Sequence, residues 1–143
     1  MKNRGIHGVH PDDQLLTREV IGLAMKVHRT LGSGFLESVY RNSLMVEFRR
    51  MNIPFEIHPA LSVIYEGTEV GVFQADVIVD RRLVVELKAV ETLAAAHATQ
   101  LVNYLAATKI ESGLLLNFGA SSLEFRTKTL HYRKYPEPVD LQA

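Results

Sequence analysis

Cysteine is missing from this 143-residue chain, and its absence removes disulfides, thiolate zinc sites and cysteine nucleophiles together. It also fits a reducing compartment, so a cytoplasmic location is the default expectation. Net charge is missing as well. Sixteen basic residues balance sixteen acidic ones, so the field of the whole molecule draws in no polyanion, and any nucleic-acid contact has to come from local patches. No apolar run approaches the roughly 18 residues of a membrane span, and Met1 to Asp13 lacks the apolar block of a signal peptide. No internal repeat or low-complexity tract interrupts the chain. What remains is ordinary for a folded protein: 47% hydrophobic and 22% charged residues argue against disorder and fibrous designs. The length suits one domain with a real core.

Met1 to Asp13 contains Gly5, Gly8 and Pro11 without periodicity and reads as a flexible N-terminal arm, ending in a helix start signal at Asp12, Asp13 or Thr17. A single domain, residues 14–143, is expected to follow it. Leu16, Val20, Leu23, Val27 and Leu31 recur three to four apart, the pattern of an amphipathic helix, which Gly32 and Gly34 stop. A second helix is predicted from near Phe35 to about Met51, with Leu44 and Phe48 inward and Arg41, Arg49 and Arg50 outward; Asn52 and Pro54 end it. The period then changes to two, at Leu61, Val63 and Tyr65, at Phe73, Ala75, Val77 and Val79, and at Leu83, Val85 and Leu87. These predict three strands joined by the short turns Glu66-Gly67-Thr68 and Asp80-Arg81-Arg82, hence an antiparallel meander. Leu93 to Lys109 reads as a helix, and Gly113 to Phe118 as a buried strand. Leu123 to Lys128 and Thr129 to Arg133 fit edge strands or a short helix equally.

The informative residues are polar groups inside this apolar pattern. Glu86 and Lys88 are two apart on one strand and project from the same face, with about 6.6–6.8 Å between their backbone positions. Asp76 lies in the preceding strand, where a hairpin through residues 80–82 makes it a cross-strand neighbour of Glu86. Two carboxylates and an amine thus converge, a set that suits Mg²⁺, with Mn²⁺ as a substitute, because a hard cation takes oxygen ligands from one or two carboxylates, waters and phosphate. The Leu87 carbonyl can supply another oxygen. Lys88 can then orient or deprotonate an attacking water. On the following helix Gln100 and Tyr104 are four apart, with His97 one turn earlier on the same side. Gly34, Glu37 and Tyr40 follow one another at intervals of three, so Glu37 and Tyr40 are expected to face one cleft, with His28 nearby. Each has an ordinary alternative: a solvated Glu86–Lys88 pair, Tyr104 packed on Leu101 and Leu105, a first-turn acid at Glu37, a core histidine at His28. Basic groups at Arg126, Lys128, Arg133 and Lys134 and at Arg41, Arg49 and Arg50 fit either phosphate contacts or a solvated face. An exposed sheet edge near the terminus allows a homodimer.

Gly34-Phe35-Leu36-Glu37-Ser38-Val39-Tyr40, preceded by Val27 to Ser33, resembles the signature of the GxxExxY protein family. The likeness continues through Asp76, Val85-Glu86-Leu87-Lys88-Ala89-Val90, Gln100 to Tyr104, and Leu114 to Phe118. That family is similar to the PD-(D/E)xK phosphodiesterase superfamily, whose restriction-endonuclease-like core is an αβββαβ unit. The resemblance implies an α/β fold, a mixed sheet flanked by helices, with one N-terminal helix added. It implies Asp76 and Glu86 as metal ligands, Lys88 as the catalytic lysine and Glu37 as a helix-borne acid. Gln100 to Tyr104 is similar to the QxxxY element of RecB-like nucleases, which supports the site and contacts nucleic acid. The superfamily's Pro-Asp pair is absent, since Ala75 precedes Asp76. The implied activity is Mg²⁺-dependent cleavage of nucleic acid, DNA foremost; the alternative is a catalytically silent module of the same fold that binds nucleic acid or protein.

Overall fold

The computed structural model describes residues 11–130. Helix α1 (Pro11–Leu31) starts two residues before the expected end of the arm. Proline suits the first helical position and Asp12 and Asp13 suit the positive end of the helix dipole. Residues 11–13 are therefore helical, and Asp13 is buried with its Oδ1 accepting from Arg82 Nε at 2.8 Å; residues 1–10 lie outside the described part. Leu16, Val20, Ala24 and Val27 form the buried stripe, with Leu23 and Leu31 packed against its margin. Gly32 and Gly34 take left-handed backbone angles, φ 71° and 113°, which only glycine adopts freely. The chain turns there into α2 (Glu37–Arg50), so Phe35 stands before that helix and not in it.

A five-stranded mixed sheet follows, built from β1 (Phe55–Ile57), β4 (Val77–Val79), β5 (Leu83–Lys88), β6 (Ser112–Asn117) and β7 (Glu124–Thr129), in the order β1-β4-β5-β6-β7. Helix α3 (Ala95–Thr108) is the crossover that the parallel β5–β6 pairing requires. The other neighbours in this sheet are antiparallel. Strands β5 and β6 are covered on both faces. Val85, Leu87, Leu114 and Leu116 pack with α1 and α2, while Val84 and Leu115 pack with Leu101, Tyr104 and Leu105 of α3. This double burial explains the continuous apolar run from Gly113 to Phe118. The undecided segment near the end is β7, antiparallel to β6; residues beyond 130 lie outside the described part.

The predicted three-strand meander is corrected in one place. The alternation Phe73-Ala75-Val77-Val79 runs through a break at Ala75–Asp76, so the expected second strand is two strands in two sheets. Its first half, β3 (Thr68–Gln74), pairs only with β2 (Ala60–Tyr65) as a separate two-stranded hairpin, and its second half, β4, pairs with β1 and β5. The partner side breaks at the same level. His58 takes φ 47° and donates its N–H to the Asp76 carbonyl at 2.9 Å, and Pro59 has no N–H to offer a ladder. Both expected hairpin turns are present, with Glu66–Gly67 and Asp80–Arg81 left-handed at both central positions, the mark of the tight type I′ turn.

The carboxyl ends of β5 and β6 are tied by a fully buried side chain. Asn117 donates Nδ2 to the Val90 carbonyl and to Glu124 Oε1, at 2.9 and 2.8 Å, and its Oδ1 accepts from the N–H groups of Val90 and Gly119, at 2.9 and 3.0 Å. Gly119 fits under this loop only without a side chain, since a Cβ would collide with the Val90 main chain. Replacing Asn117 with Ala would strand several of these groups at roughly 1–3 kcal/mol for a buried unsatisfied one. We expect Asn117→Ala to lose about 2–4 kcal/mol in urea unfolding.

Candidate active site

Strand β5 ends with an acid and a base in a setting that otherwise accepts only apolar groups. Glu86 is 3% exposed, and its Oε2 accepts the Asp76 N–H at 3.2 Å. Asp76 returns the contact one residue further on: its Oδ2 accepts the Leu87 N–H at 2.8 Å. Each carboxylate is therefore aimed by a backbone amide of the segment that carries the other, and the break between β3 and β4 is what frees the Asp76 amide for this use. The expected cross-strand meeting of Asp76 and Glu86 follows directly from the β4–β5 register, in which Val77 pairs with Val85.

Burial first and the Asp76 carboxylate second push the Glu86 carboxyl up to about 9, against the opposing pull of the Asp76 N–H and the Lys88 ammonium. Glu37, at the start of α2, is also raised, by burial first and by Asp76 second, against the pull of Lys88, Arg41 and His97. The Tyr104 phenol is raised by burial, then by Glu86 and Asp76, with its hydrogen bond to the Gln100 side chain pulling it back. Two carboxylates, a helix-borne acid, an amine, an imidazole and a phenol thus feel one another across α2, the β3–β4 junction, β5 and α3. Tyr104 is fixed there by stacking on Phe73, with centroids 4.5 Å apart and ring planes 12° apart. His97 accepts the Ala94 N–H on Nδ1 at 3.1 Å, which orients its ring at the start of α3; an alanine in that capping position has no acceptor of its own.

The donor set suits a hard divalent cation. Asp76 and Glu86 offer adjacent carboxylates whose mutual repulsion a cation would offset. In an extended strand a residue's N–H and C=O point the same way, so the Leu87 carbonyl points toward the β4 side, where its N–H meets Asp76. The Lys88 carbonyl is on the other side, accepting from Phe118 N at 2.8 Å. Among the described residues no three of His, Asp and Glu cluster tightly enough to hold a metal without further ligands.

Two candidates go elsewhere. Tyr40 is fully buried, donates its hydroxyl to the Gly32 carbonyl at 2.6 Å, accepts the Phe35 N–H at 3.1 Å and stacks on Phe118 at 4.7 Å. His28 meets the Ala120 carbonyl through Nε2 at 2.9 Å and stacks on the other part of the same cluster, 6.3 Å from Phe118. Both belong to the packing between the sheet and helices α1 and α2, and their polar atoms are taken up by the main chain of the glycine turn and of the loop after β6. The shared cleft expected for Glu37 and Tyr40 does not form. Asn117, which no spacing singled out, positions the loop that follows Lys88; its one signal was a polar residue at the end of an otherwise buried apolar strand.

The family model of the PD-(D/E)XK nuclease superfamily matches residues 14–129. The chain belongs to this superfamily. The solved structure of SSO0001 is similar in fold, with a TM-score of 0.50 and 18% identity over 68% of this chain and 51% of that one. The chain spans about half the length of that protein, and at this identity the likeness speaks for the fold alone. No curated protein matches the sequence. The matched range contains the β4–β5 unit, with Asp76 at the break and Glu86 and Lys88 on β5.

The raised Glu86 carboxyl makes a pH prediction for the metal-free protein. Its folded value, about 9, lies above its ordinary 4.5, so between these the folded state binds the extra proton. Stability is fully present below the lower value and is lost as pH rises toward the upper one. Chemical unfolding in EDTA at pH 5, 7 and 9 should show this decline, and Glu86→Gln should flatten it and be more stable at pH 9 by about 1–3 kcal/mol. A pH-independent wild type would contradict the burial of an ionisable pair.

Proposed function

We propose that this chain is a Mg²⁺-dependent nuclease that hydrolyses phosphodiester bonds in DNA. The observation that carries this reading is the Asp76–Glu86 pair, two carboxylates aimed by reciprocal main-chain bonds beside Lys88. A bound divalent cation would polarise the scissile phosphate and lower the pKa of a coordinated water. Asp76, Glu86 and the Leu87 carbonyl would hold it. Lys88 orients or deprotonates the attacking water and offsets charge that develops on phosphate. Glu37 faces the same space from α2, near enough to feel both Asp76 and Lys88, and serves as an additional acid or base. Gln100 and Tyr104 form the wall on the α3 side.

Gly34, Glu37 and Tyr40 together with Gln100 and Tyr104 support a finer placement, in the GxxExxY family and the RecB-like branch. Within that motif Gly34 and Tyr40 shape the turn that presents Glu37, since the Tyr40 hydroxyl binds both sides of it. We take residues 14–143 as one functional domain acting in the cytoplasm, in keeping with the cysteine-free sequence. Arg126 and Lys128 lie on β7 opposite Leu115 and Gly113, and Leu115 in turn pairs with Glu86. Arg126 is therefore two strands from the site on the same face, about 10 Å between backbones, a position suited to a phosphate flanking the one cleaved.

Three measurements test the assignment. Mg²⁺ at about tenfold its Kd should stabilise the wild type by about 1.4 kcal/mol. Asp76→Asn should be at least as stable as wild type in EDTA and gain nothing from Mg²⁺. Lys88→Ala should keep the Mg²⁺ gain and lose about 10²–10⁴ in cleavage rate, measured on single-stranded, double-stranded and branched DNA and on RNA. Equal Mg²⁺ shifts in all three proteins, with Asp76→Asn melting lower in EDTA, would reject the metal site. Neutralising Arg126 and Lys128 should lower the salt slope of DNA binding by about one phosphate contact each, and an unchanged slope removes them from the interface.

A further inference from the structure

Helix α2 carries a cation that its own fold leaves unused. Arg41 follows Glu37 by four residues and precedes Leu44 and Phe48 by three and seven, so all four share one stripe, since a heptad drifts only about 20° on a straight helix. Leu44 and Phe48 are fully buried, so Arg41 lies on the inward side of the helix and not outward as expected; it is half-buried. Its side chain leans back toward the start of the helix, as helical side chains do, and so toward Glu37. Yet Arg41 makes no hydrogen bond or ion pair among the described residues. Glu37 feels its charge, but less than it feels Lys88. The other two arginines of α2 are accounted for, Arg49 lying over the Phe55 ring at 5.3 Å and Arg50 being exposed. A half-buried guanidinium with no acid of its own, at the edge of a phosphate-handling site, is open to an anion.

The residues just before Glu37 are of the opposite kind. Phe35 is 49% exposed and Leu36 77%, and among the described residues no large apolar side chain is more open than Leu36. They are held out stiffly. The Tyr40 hydroxyl binds the Gly32 carbonyl and the Phe35 N–H at the two ends of the turn, and the Phe35 ring rests on the Tyr40 ring as a T-shaped pair with centroids 6.2 Å apart. Consecutive backbone positions are about 3.8 Å apart, so this bare apolar tip borders the site acid directly. Two side chains are too few for a protein partner, which removes about 800 Å² from each side. A bare aromatic and a free guanidinium on either side of Glu37 in the chain match instead the two halves of a nucleotide, a base with a flat apolar face and a phosphate. In a duplex those faces are stacked on one another and only base edges reach the grooves. An unpaired strand presents them.

We propose that the Phe35–Leu36 tip and Arg41 bind one unpaired nucleotide next to the cleaved bond, its base against the tip and its phosphate on Arg41, so that single-stranded DNA is the preferred substrate. This rests on the nuclease reading, and binding and cleavage are therefore measured apart. A short DNA oligonucleotide should bind the full chain carrying Lys88→Ala, in Mg²⁺, about tenfold more tightly as a single strand than as a duplex. Phe35→Ala added to it should raise the single-strand Kd about tenfold and leave the duplex Kd unchanged. Arg41→Gln should lower the single-strand salt slope by about 0.7, one phosphate contact. An abasic site moved along the oligonucleotide should find one position at which the loss caused by Phe35→Ala disappears. Leu36→Ala, at a largely exposed position, should weaken single-strand binding in the same direction and stands in if Phe35→Ala misfolds. Equal binding of single strand and duplex overturns the proposal, as does a Phe35→Ala loss that persists at every abasic position, or an unchanged slope in Arg41→Gln. If the wild type cleaves DNA while any of these holds, the nuclease reading survives and this proposal falls; the expected binding pattern with no cleavage in Mg²⁺ does the reverse.

Discussion

Keeping a carboxylate almost dry at the end of a strand buried on both faces is the constraint that the rest of this structure serves. Burial disfavours the charged form of Glu86, and its carboxyl is pushed up to about 9. The sheet order places its strand in the middle, the α1–α2 layer seals one face, and α3 covers the other. What the fold withholds in water it returns as one main-chain donor, the Asp76 N–H, and as a lysine at the strand's end. Burial of its charged form costs stability.

Much of this was legible in the chain. The three-to-four spacing from Leu16 to Leu31 marked α1, the two-residue spacing of Glu86 and Lys88 put both on one face, and the turn at residues 80–82 brought Asp76 opposite Glu86. The kink at Ala75–Asp76 was not legible, because the apolar alternation passes through it undisturbed; what breaks the ladder is a backbone amide diverted to a side chain ten residues away. The strand Phe55–Ile57 is three residues long, too short for any period to show. Tyr40 and His28 mislead for another reason. Spacing along a helix tells which side a residue is on, but not what lies there, and for both residues the neighbour is Phe118 with a main-chain carbonyl at hand.

Helix α3 combines two tasks that are separate in the sequence. As the crossover between parallel strands it must be apolar toward Leu115 and Val84, and it places Leu101 and Leu105 there. Gly113 is the matching concession on β6, since a side chain at that position would press on both leucines. The same helix brings Tyr104 within electrostatic reach of Glu86 and Asp76 and His97 within reach of Glu37, with Gln100 bonded to Tyr104. The ring of Tyr104 belongs to the core, through Phe73, while its hydroxyl belongs to the site. Displacing the helix to open the site would therefore unpack the base of the β2–β3 hairpin as well.

The reciprocal main-chain bonds between Asp76 and Glu86 carry a consequence for how such a protein can diverge. The orientation of both carboxylates is specified by peptide groups, which every residue other than proline provides, and not by the identity of surrounding side chains. Substitutions around the site can therefore accumulate with little effect on ligand geometry, provided the strand register and the kink persist. Recognition and chemistry are thereby uncoupled in inheritance: the surfaces that choose a substrate are free to drift while the centre that would act on it stays in place.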